Sequence, residues 1–316
     1  MDLAVRHLAE HQDGLFTTEQ ALLVGSSLRS LRHALATKEV LRLTRGLYVL
    51  ADQVPSTEEE RHLQRARGAL LLVPDAVLSH WTALLAHGIP VITVPHEVRL
   101  LRPVSPKVRR KGQVRRAGIV IDAGAHDAQA RSARMRSPYG PTVPIATALL
   151  QHAKSRGVEE GLASADAAVR AALVPRRGLV DEAAADRGPF SRRGTQVASL
   201  ADGRIESVGE SRLRFVCLTG GIEVEPQVTI RDEGGSFVAR VDFLVKGTNV
   251  VLEFDGRMKY AEANGRALWD EKRREDRLRA LGYVVVRVIW ADLADPMTVV
   301  GRIRDAMVPG RQPVAT

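Results

Sequence analysis

The chain is nearly without cysteine. Its 316 residues include one, Cys217, so a disulfide framework and a cysteine-ligated zinc site are both excluded. Within Phe215-Val216-Cys217-Leu218 it reads as a small buried hydrophobe. Aromatic residues are scarce, at 4%. No apolar run approaches the ~20 residues that cross a bilayer, and Met1-Asp2-Leu3-Ala4-Val5-Arg6-His7 has no apolar signal core. A cytoplasmic protein with no membrane partner is therefore expected. Histidine is absent from 210–316, so no histidine can serve as general base in that third of the chain. Lysine is rare too: 7 of the 46 basic residues, the other 39 being arginine.

What is present is an ordinary globular composition, 45% hydrophobic and 26% charged, at a length that suggests about two domains. The net charge of +9 is unevenly spread. Residues 1–55 are net 0 and 56–100 are −1, while 101–137 are +8; 138–209 and 210–316 are +1 each. A surplus concentrated in 37 residues resembles a polyanion footprint more than a compositional bias. Lys107, Arg109, Arg110, Lys111, Arg115 and Arg116 form its centre. They can track a phosphate backbone or decorate a solvated loop. No aromatic residue lies among them, which argues against stacking on single-stranded bases.

The first 55 residues carry helical periodicity and then a strand pair. Leu3, Leu8 and Ala9 share a helix face. Thr17 or Thr18 can cap a second helix that stops at Gly25. Ser26-Ser27 precede a third, Leu28 to about Ala36, with Leu28, Leu31 and Leu35 facing inward. Two short strands then flank the Thr44-Arg45-Gly46 turn. This order predicts a winged helix-turn-helix. Arg29, Arg32 and His33 are left on the outer face of the third helix, which a DNA major groove can admit, and Arg42 and Arg45 sit in the wing. The net charge of 0 favours the alternative, a module for protein contacts. Gly14-Leu15-Phe16-Thr17-Thr18-Glu19-Gln20-Ala21 and Leu41-Arg42-Leu43-Thr44-Arg45-Gly46-Leu47-Tyr48-Val49 resemble the N-terminal domain of AbiEi-type antitoxins. That resemblance implies a DNA-binding autorepressor of an abortive-infection toxin–antitoxin system, with DNA and a toxin as partners.

Between 56 and 200 a mixed α/β region is expected. Glu58 to about Leu72 and Ser79 to Gly88 read as helices, 91–121 as strands and turns, 145–173 as helical, and 175–209 as a short helix and a linker. The stretch 79–88 is similar to one that follows the winged helix in many actinobacterial members of the same group. His80 and His87 fall seven apart, and a structural role is preferred because no further metal ligands accompany them.

Residues 206–309 read as a third domain. A helix carrying Glu210 precedes three strands, a charged helix from Leu268 to Leu281 and a last strand. Lys246-Gly247-Thr248-Asn249 suits a hairpin turn. Its pairing makes opposed residue numbers sum to 495. Val245, Phe243 and Val241 then face Val250, Leu252 and Phe254, while Asp242 faces Glu253. Like charges so opposed are destabilising, and a divalent cation, Mg²⁺ or Mn²⁺, is one remedy. A raised acid pKa or neighbouring arginines are the other. Lys272, Arg273, Arg274, Arg277 and Arg279 nearly cancel the acids of their helix, which suits a solvated face with i,i+4 pairs. Asp242, then Glu253 on the next strand, with Glu210 on the preceding helix, resemble the PD-(D/E)XK nucleases. More narrowly, Leu252-Glu253-Phe254-Asp255-Gly256, Glu275-Asp276-Arg277-Leu278 and the strand from Tyr283 are similar to very-short-patch-repair endonucleases. The resemblance implies a central mixed sheet and metal-dependent DNA cleavage, with Asp242 and Glu253 as metal ligands and Glu210 assisting. It departs at Asp255, which stands where the lysine belongs, leaving Lys259 as the substitute. It departs again at Tyr260, where histidine is common. The expectation is thus an α/β (α+β) DNA-binding protein in three parts, 1–55, 56–200 and 206–309. Its alternatives are a Mg²⁺-dependent endonuclease and a non-enzymatic regulator or antitoxin.

Overall fold

The computed structural model describes residues 1–103, 113–116, 118–124, 135–256 and 265–308. Arg109, Arg110, Lys111 and Lys259 lie outside them. The chain forms two compact units, Met1–Ser164 with Leu173–Ser199, and Ala165–Ala172 with Leu200–Thr316.

The first unit begins α1 (Leu3–Glu10), β1 (Leu15–Thr17), α2 (Thr18–Leu23), α3 (Leu28–Ala36), β2 (Val40–Thr44) and β3 (Leu47–Leu50). The strands form one sheet in the order β1-β3-β2, which is the winged-helix arrangement. Side-chain caps set the helix starts. Thr17 accepts from the Gln20 amide while the Gln20 side chain accepts from the Thr17 amide, a reciprocal capping box, and Ser27 accepts from Ser30. Val5, Ala9, Phe16, Ala21, Leu31, Ala34, Val40, Tyr48 and Leu50 make the core, with Phe16 and Tyr48 stacked at 5.5 Å. Two inward assignments are corrected. Leu3 is 84% exposed and Leu28 51%. Leu3 lies about 200° around the helix from Val5, which took the inner face with Ala9. Leu28 opens α3 beyond the rim of the core, and Leu31 is the first residue to enter it.

The unit continues with α4 (Glu58–Leu72), β4 (Val77–Leu78), α5 (His80–Ala86), β5 (Val98–Pro103), β6 (Gln113–Arg116), β7 (Ile119–Gly124), β8 (Met135–Ser137) and β9 (Gly140–Thr142). These strands form a mixed sheet, β6-β7-β5-β4-β9-β8. Then come α6 (Ile145–Arg156), α7 (Val158–Arg170), α8 (Arg176–Ala185) and α9 (Ser191–Leu200). The short helix expected after 175 is present as α8, and part of the expected linker is a second helix, α9. His80 and His87 share no site. The His80 ring meets Ser79 Oγ at 3.0 Å and the Arg99 guanidinium at 3.1 Å, whereas His87 meets Thr142 Oγ1 at 2.8 Å.

The second unit contains α10 (Val208–Thr219), β10 (Val224–Arg231), β11 (Phe237–Val245), β12 (Val250–Asp255), α11 (Gly265–Ala280), β13 (Val284–Ile289) and α12 (Pro296–Ala306). Its sheet runs β10-β11-β12-β13, antiparallel twice and then parallel. Apolar residues cover both faces. Phe243, Val245, Val250, Leu252 and Val286 pack with Leu213, Val216 and Cys217 of α10 and Val299 and Ile303 of α12. Ile230, Ala239, Val241 and Val251 pack with Leu278 of α11. Cys217 is fully buried, and burial pushes its thiol up to about 12, consistent with a packing role.

His62 illustrates the buried polar chemistry of the first unit. It is fully buried, with Nδ1 2.8 Å from the Pro95 carbonyl and Nε2 2.9 Å from Thr82 Oγ1. The carbonyl can only accept, so Nδ1 donates and the neutral ring accepts from the threonine hydroxyl at Nε2. Burial lowers its pKa from 6.5 to about 4. The unfolded chain therefore binds a proton that the folded chain refuses between those values. Stability is expected to be level above pH 6.5 and to fall as pH drops toward 4, by about 3 kcal/mol from this group. Denaturant unfolding at pH 7.5 and 4 checks it. In His62→Gln the acid loss should shrink by about that amount, and an undiminished loss would place its source elsewhere.

Candidate functional site

The outer surface of the winged helix is built from α3 and the β2–β3 turn. Ser27 starts α3 so that Leu31 and Ala34 face the core, and Arg29, Arg32 and His33 stand exposed. Gly46, at φ +85°, turns the chain between the strands and accepts from the Thr18 amide at 3.0 Å, which ties the turn to α2. Arg42 and Arg45 are exposed beside it. Residues 29–45 contain five basic side chains and one acid, Glu39. The acids of residues 1–55 are mostly engaged elsewhere. Asp2 accepts from Ser26 and Ser30, and Arg6 pairs with Glu10 at 3.0 Å and Asp52 at 2.6 Å. Among the described residues, neither Arg29 nor Arg45 has a carboxylate partner. The zero net charge of residues 1–55 therefore conceals a polarised module. Arg115 and Arg116 of the basic stretch lie on β6, which pairs with β7 through Arg115↔Val120 and Arg116↔Ile119.

The second unit gathers the three acids singled out in the sequence around β11 and β12. The hairpin register is the expected one, Phe243↔Leu252 and Leu244↔Val251. The ladder stops there, so Asp242 does not pair across from Glu253. Its carboxylate instead accepts from the Phe254 amide at 2.8 Å, meeting a backbone donor that a neighbouring strand would otherwise satisfy. Val241 correspondingly packs with the α11 cluster and not with Phe243 and Phe254.

Glu210 stands in the first turn of α10, capped by Ser207. Its carboxylate accepts from the Glu206 amide at 2.9 Å and from Gln227 Nε2 at 3.0 Å. Gln227 sits in β10 at φ +57°, an unusual conformation for a residue with a side chain, and nothing in hydrophobic alternation announces it. Gly209 lets α10 lie on the Phe254 ring. A Cβ there would fall 1.9 Å from Phe254 Cε1. Burial raises the Glu210 carboxyl above its ordinary range, and the Asp242 charge adds to the rise. Burial also raises Asp242, against the Phe254 amide and the Arg274 charge, with Glu206 adding to the rise.

Glu253 is buried on β12. Arg274 of α11 donates to its Oε1 at 2.6 Å, and Arg287, its register partner on β13, lies 3.9 Å from Oε2. The charged helix was expected to be a solvated face. Arg279 does pair with Glu275 at i,i+4, but Arg274 turns inward. Gln227, Arg274 and Arg287 are thus site residues that patterning missed. Among the described residues, no group of three His, Cys, Asp or Glu side chains is placed to hold a metal ion.

The structure is of the mixed α/β class, with a winged helix at its N-terminal end. Residues 4–51 match a family described as a transcriptional regulator, AbiEi antitoxin. No curated protein matches the chain. Among the described residues, no helix is long and apolar enough to cross a membrane.

The direction of the Asp242 shift carries a test. The folded-state value lies above the unfolded one, so the fold penalises the ionised acid. The penalty is absent below the ordinary aspartate range and complete above the folded value. Asp242→Asn should therefore be more stable than the wild type at pH 7, with the gain fading as pH falls from the raised folded value toward 3.8. Urea midpoints at pH 7 and 3.5 decide it. A variant that gains nothing at pH 7 would show that the site carries no such strain.

Proposed function

We propose that the protein is a DNA-binding transcriptional regulator of the antitoxin type. The observation that carries this reading is the exposed basic surface of α3 and the wing, within the residues that match the regulator family. In this reading α3 enters the major groove, where Arg29, Arg32 and His33 meet base edges. Arg42 and Arg45 hold the backbone or minor groove at the wing. The family points to autorepression and a toxin partner. Arg109, Arg110, Lys111, Arg115 and Arg116 add sequence-independent affinity through phosphates.

The test begins with selection of bound sequences from a random duplex pool. Arg29→Ala or Arg32→Ala should then cost about 1–3 kcal/mol on the selected site and relax the preference at the bases touched. Arg45→Ala should weaken all sequences alike and reduce the slope of log affinity against log salt by about 1. Charge reversal at Arg109, Arg110 and Lys111 should flatten that slope further. Failure to enrich any duplex would remove the regulator reading, and an unchanged slope would make the basic stretch a solvated loop.

A second activity is favoured by one observation, the carboxyls of Glu210 and Asp242, both raised by burial, in the same unit as the buried Glu253. Hard carboxylate oxygens suit Mg²⁺ or Mn²⁺ by chemistry, and an added positive charge would relieve the strain on both raised acids. Asp242 and Glu253 would hold the cation, with Glu210 and Lys259 assisting. When bound it would supply Lewis-acid polarisation of a phosphodiester and an activated water. Asp242 and Glu210 would orient that site through the Phe254 amide and Gln227. On this reading, DNA is cleaved in Mg²⁺ or Mn²⁺, and Glu253→Ala or Asp242→Ala abolishes cleavage. Equal cleavage by the alanine variants would refute the assignment, and no cleavage of linear, nicked or supercoiled DNA would leave the regulator reading alone.

A further inference from the structure

A cleft of about 920 Å³ opens beside the wing, a volume that suits a small molecule. Three elements of the first unit meet around it: the start of α2 at Thr17, Thr18 and Glu19, the wing from Arg42 to Gly46, and the end of α4 at Leu71 and Leu72. They come closest at Gly46, where a Cβ would lie 3.9 Å from both Leu72 Cδ2 and Thr18 Oγ1. The lining divides by chemistry. Leu43, Leu71 and Leu72 are half-buried and pack against Leu15, Leu47 and Val49, which gives the cleft an apolar wall. Arg42 and Arg45 stand exposed on the wing, and Glu19 is exposed on α2. Among the described residues neither arginine has a carboxylate partner, and Arg42 Nε donates to the Thr44 carbonyl at 3.4 Å. Thr44 also lines the cleft. It is 5% exposed, and its Oγ1 is buried with no hydrogen-bond partner among the described residues. Such an orphaned hydroxyl is destabilising in a folded chain and calls for a partner.

These groups define what fits. Two arginines against one glutamate leave the rim with a single net positive charge, which matches a single negative one. The leucine wall asks for an apolar body, which a phosphodiester passing over the wing does not offer. We propose that the cleft is an effector site for a small amphipathic monoanion, a carboxylate or sulfonate on an apolar body, whose binding competes with DNA. The occupant's charge takes the two arginines, its body lies on Leu43, Leu71 and Leu72, and the Thr44 hydroxyl gains its missing partner. The competition rests on the regulator reading given above, in which Arg42 and Arg45 hold the duplex. A guanidinium bound to the occupant is not available to a phosphate, so each ligand weakens the other by the same factor.

The experiment is calorimetry of the full chain without DNA, with octanoate, acetate and octanol as probes. Octanoate should bind at least about tenfold more tightly than acetate, which lacks the body, and than octanol, which lacks the charge. Arg45→Gln and Leu72→Asp should each weaken octanoate by about tenfold or more. Thr44→Val should weaken it about fivefold yet melt no lower than the wild type, because a methyl replaces a hydroxyl that has no partner. The second arm is displacement of a selected, labelled duplex, with acetate at equal ionic strength as the control for salt. Octanoate should release the duplex where acetate does not. Octanoate binding no tighter than acetate, or binding that Arg45→Gln and Leu72→Asp leave unchanged, would overturn the site. Octanoate bound with the duplex still held at undiminished affinity would overturn the competition while the regulator reading stands. If no duplex is ever selected, the regulator reading and the competition fall together, and the titration without DNA still decides the cleft.

Discussion

A carboxylate removed from water has to be met by donors or by opposite charge, and the second unit is organised by that requirement at three positions. Glu210 takes the Glu206 amide and the Gln227 side chain, Asp242 the Phe254 amide, and Glu253 the guanidinium of Arg274. Each partner comes from a different element, so the acids also determine how the elements meet. Phe254 has to present its amide to β11 while its ring lies under α10 at Gly209 and edge-on to Trp290 at 5.2 Å. Gln227 has to leave ordinary strand geometry to reach Glu210. An all-apolar strand pair would be simpler to fold. Three acids are accommodated here at a visible conformational cost, the left-handed backbone of Gln227 among it.

The winged helix solves the opposite problem. Acids of the module are drawn into local contacts with Ser26, Ser30 and Arg6, and the arginines of α3 and the wing are turned outward. The two caps at Thr17 and Ser27 do much of this. They start α2 and α3 at fixed residues, and the start of α3 decides that Arg29, Arg32 and His33 point away from Leu31 and Ala34. A one-residue change at Ser27 would rotate the exposed face by about 100°. Here the fold's legibility and its surface chemistry have the same cause.

That is why this part of the chain could be read so closely from its residues. Caps and helix periodicity are local signals, and both cap positions, the wing turn and the β11–β12 register follow from neighbours in sequence. Leu3 and Leu28 mark the limit, because apolar character alone does not say which face the core will choose. The acid site exceeds what alternation can carry. The register arithmetic places Asp242 opposite Glu253, but a side chain that captures a backbone amide ends the ladder and moves Val241 to the other cluster. The same holds for Arg274. Among near-balanced charges on α11, nothing local separates the arginine that turns inward from Arg279, which pairs along the helix.

Net charge misleads for a related reason. It adds groups that never act together. Residues 1–55 total zero, yet 29–45 hold five of the six basic side chains and one of the six acids, and a phosphate backbone meets that face alone. In 210–316 the total is +1, yet locally the buried Glu253 is met by Arg274 at 2.6 Å, with Arg287 3.9 Å away. The charge that matters at each place is the one left after internal partners are assigned. By that measure the neutral winged helix presents a cationic surface, and in the nearly neutral second unit each acid of the trio is met by its own donors, Glu206 and Gln227, Phe254 or Arg274.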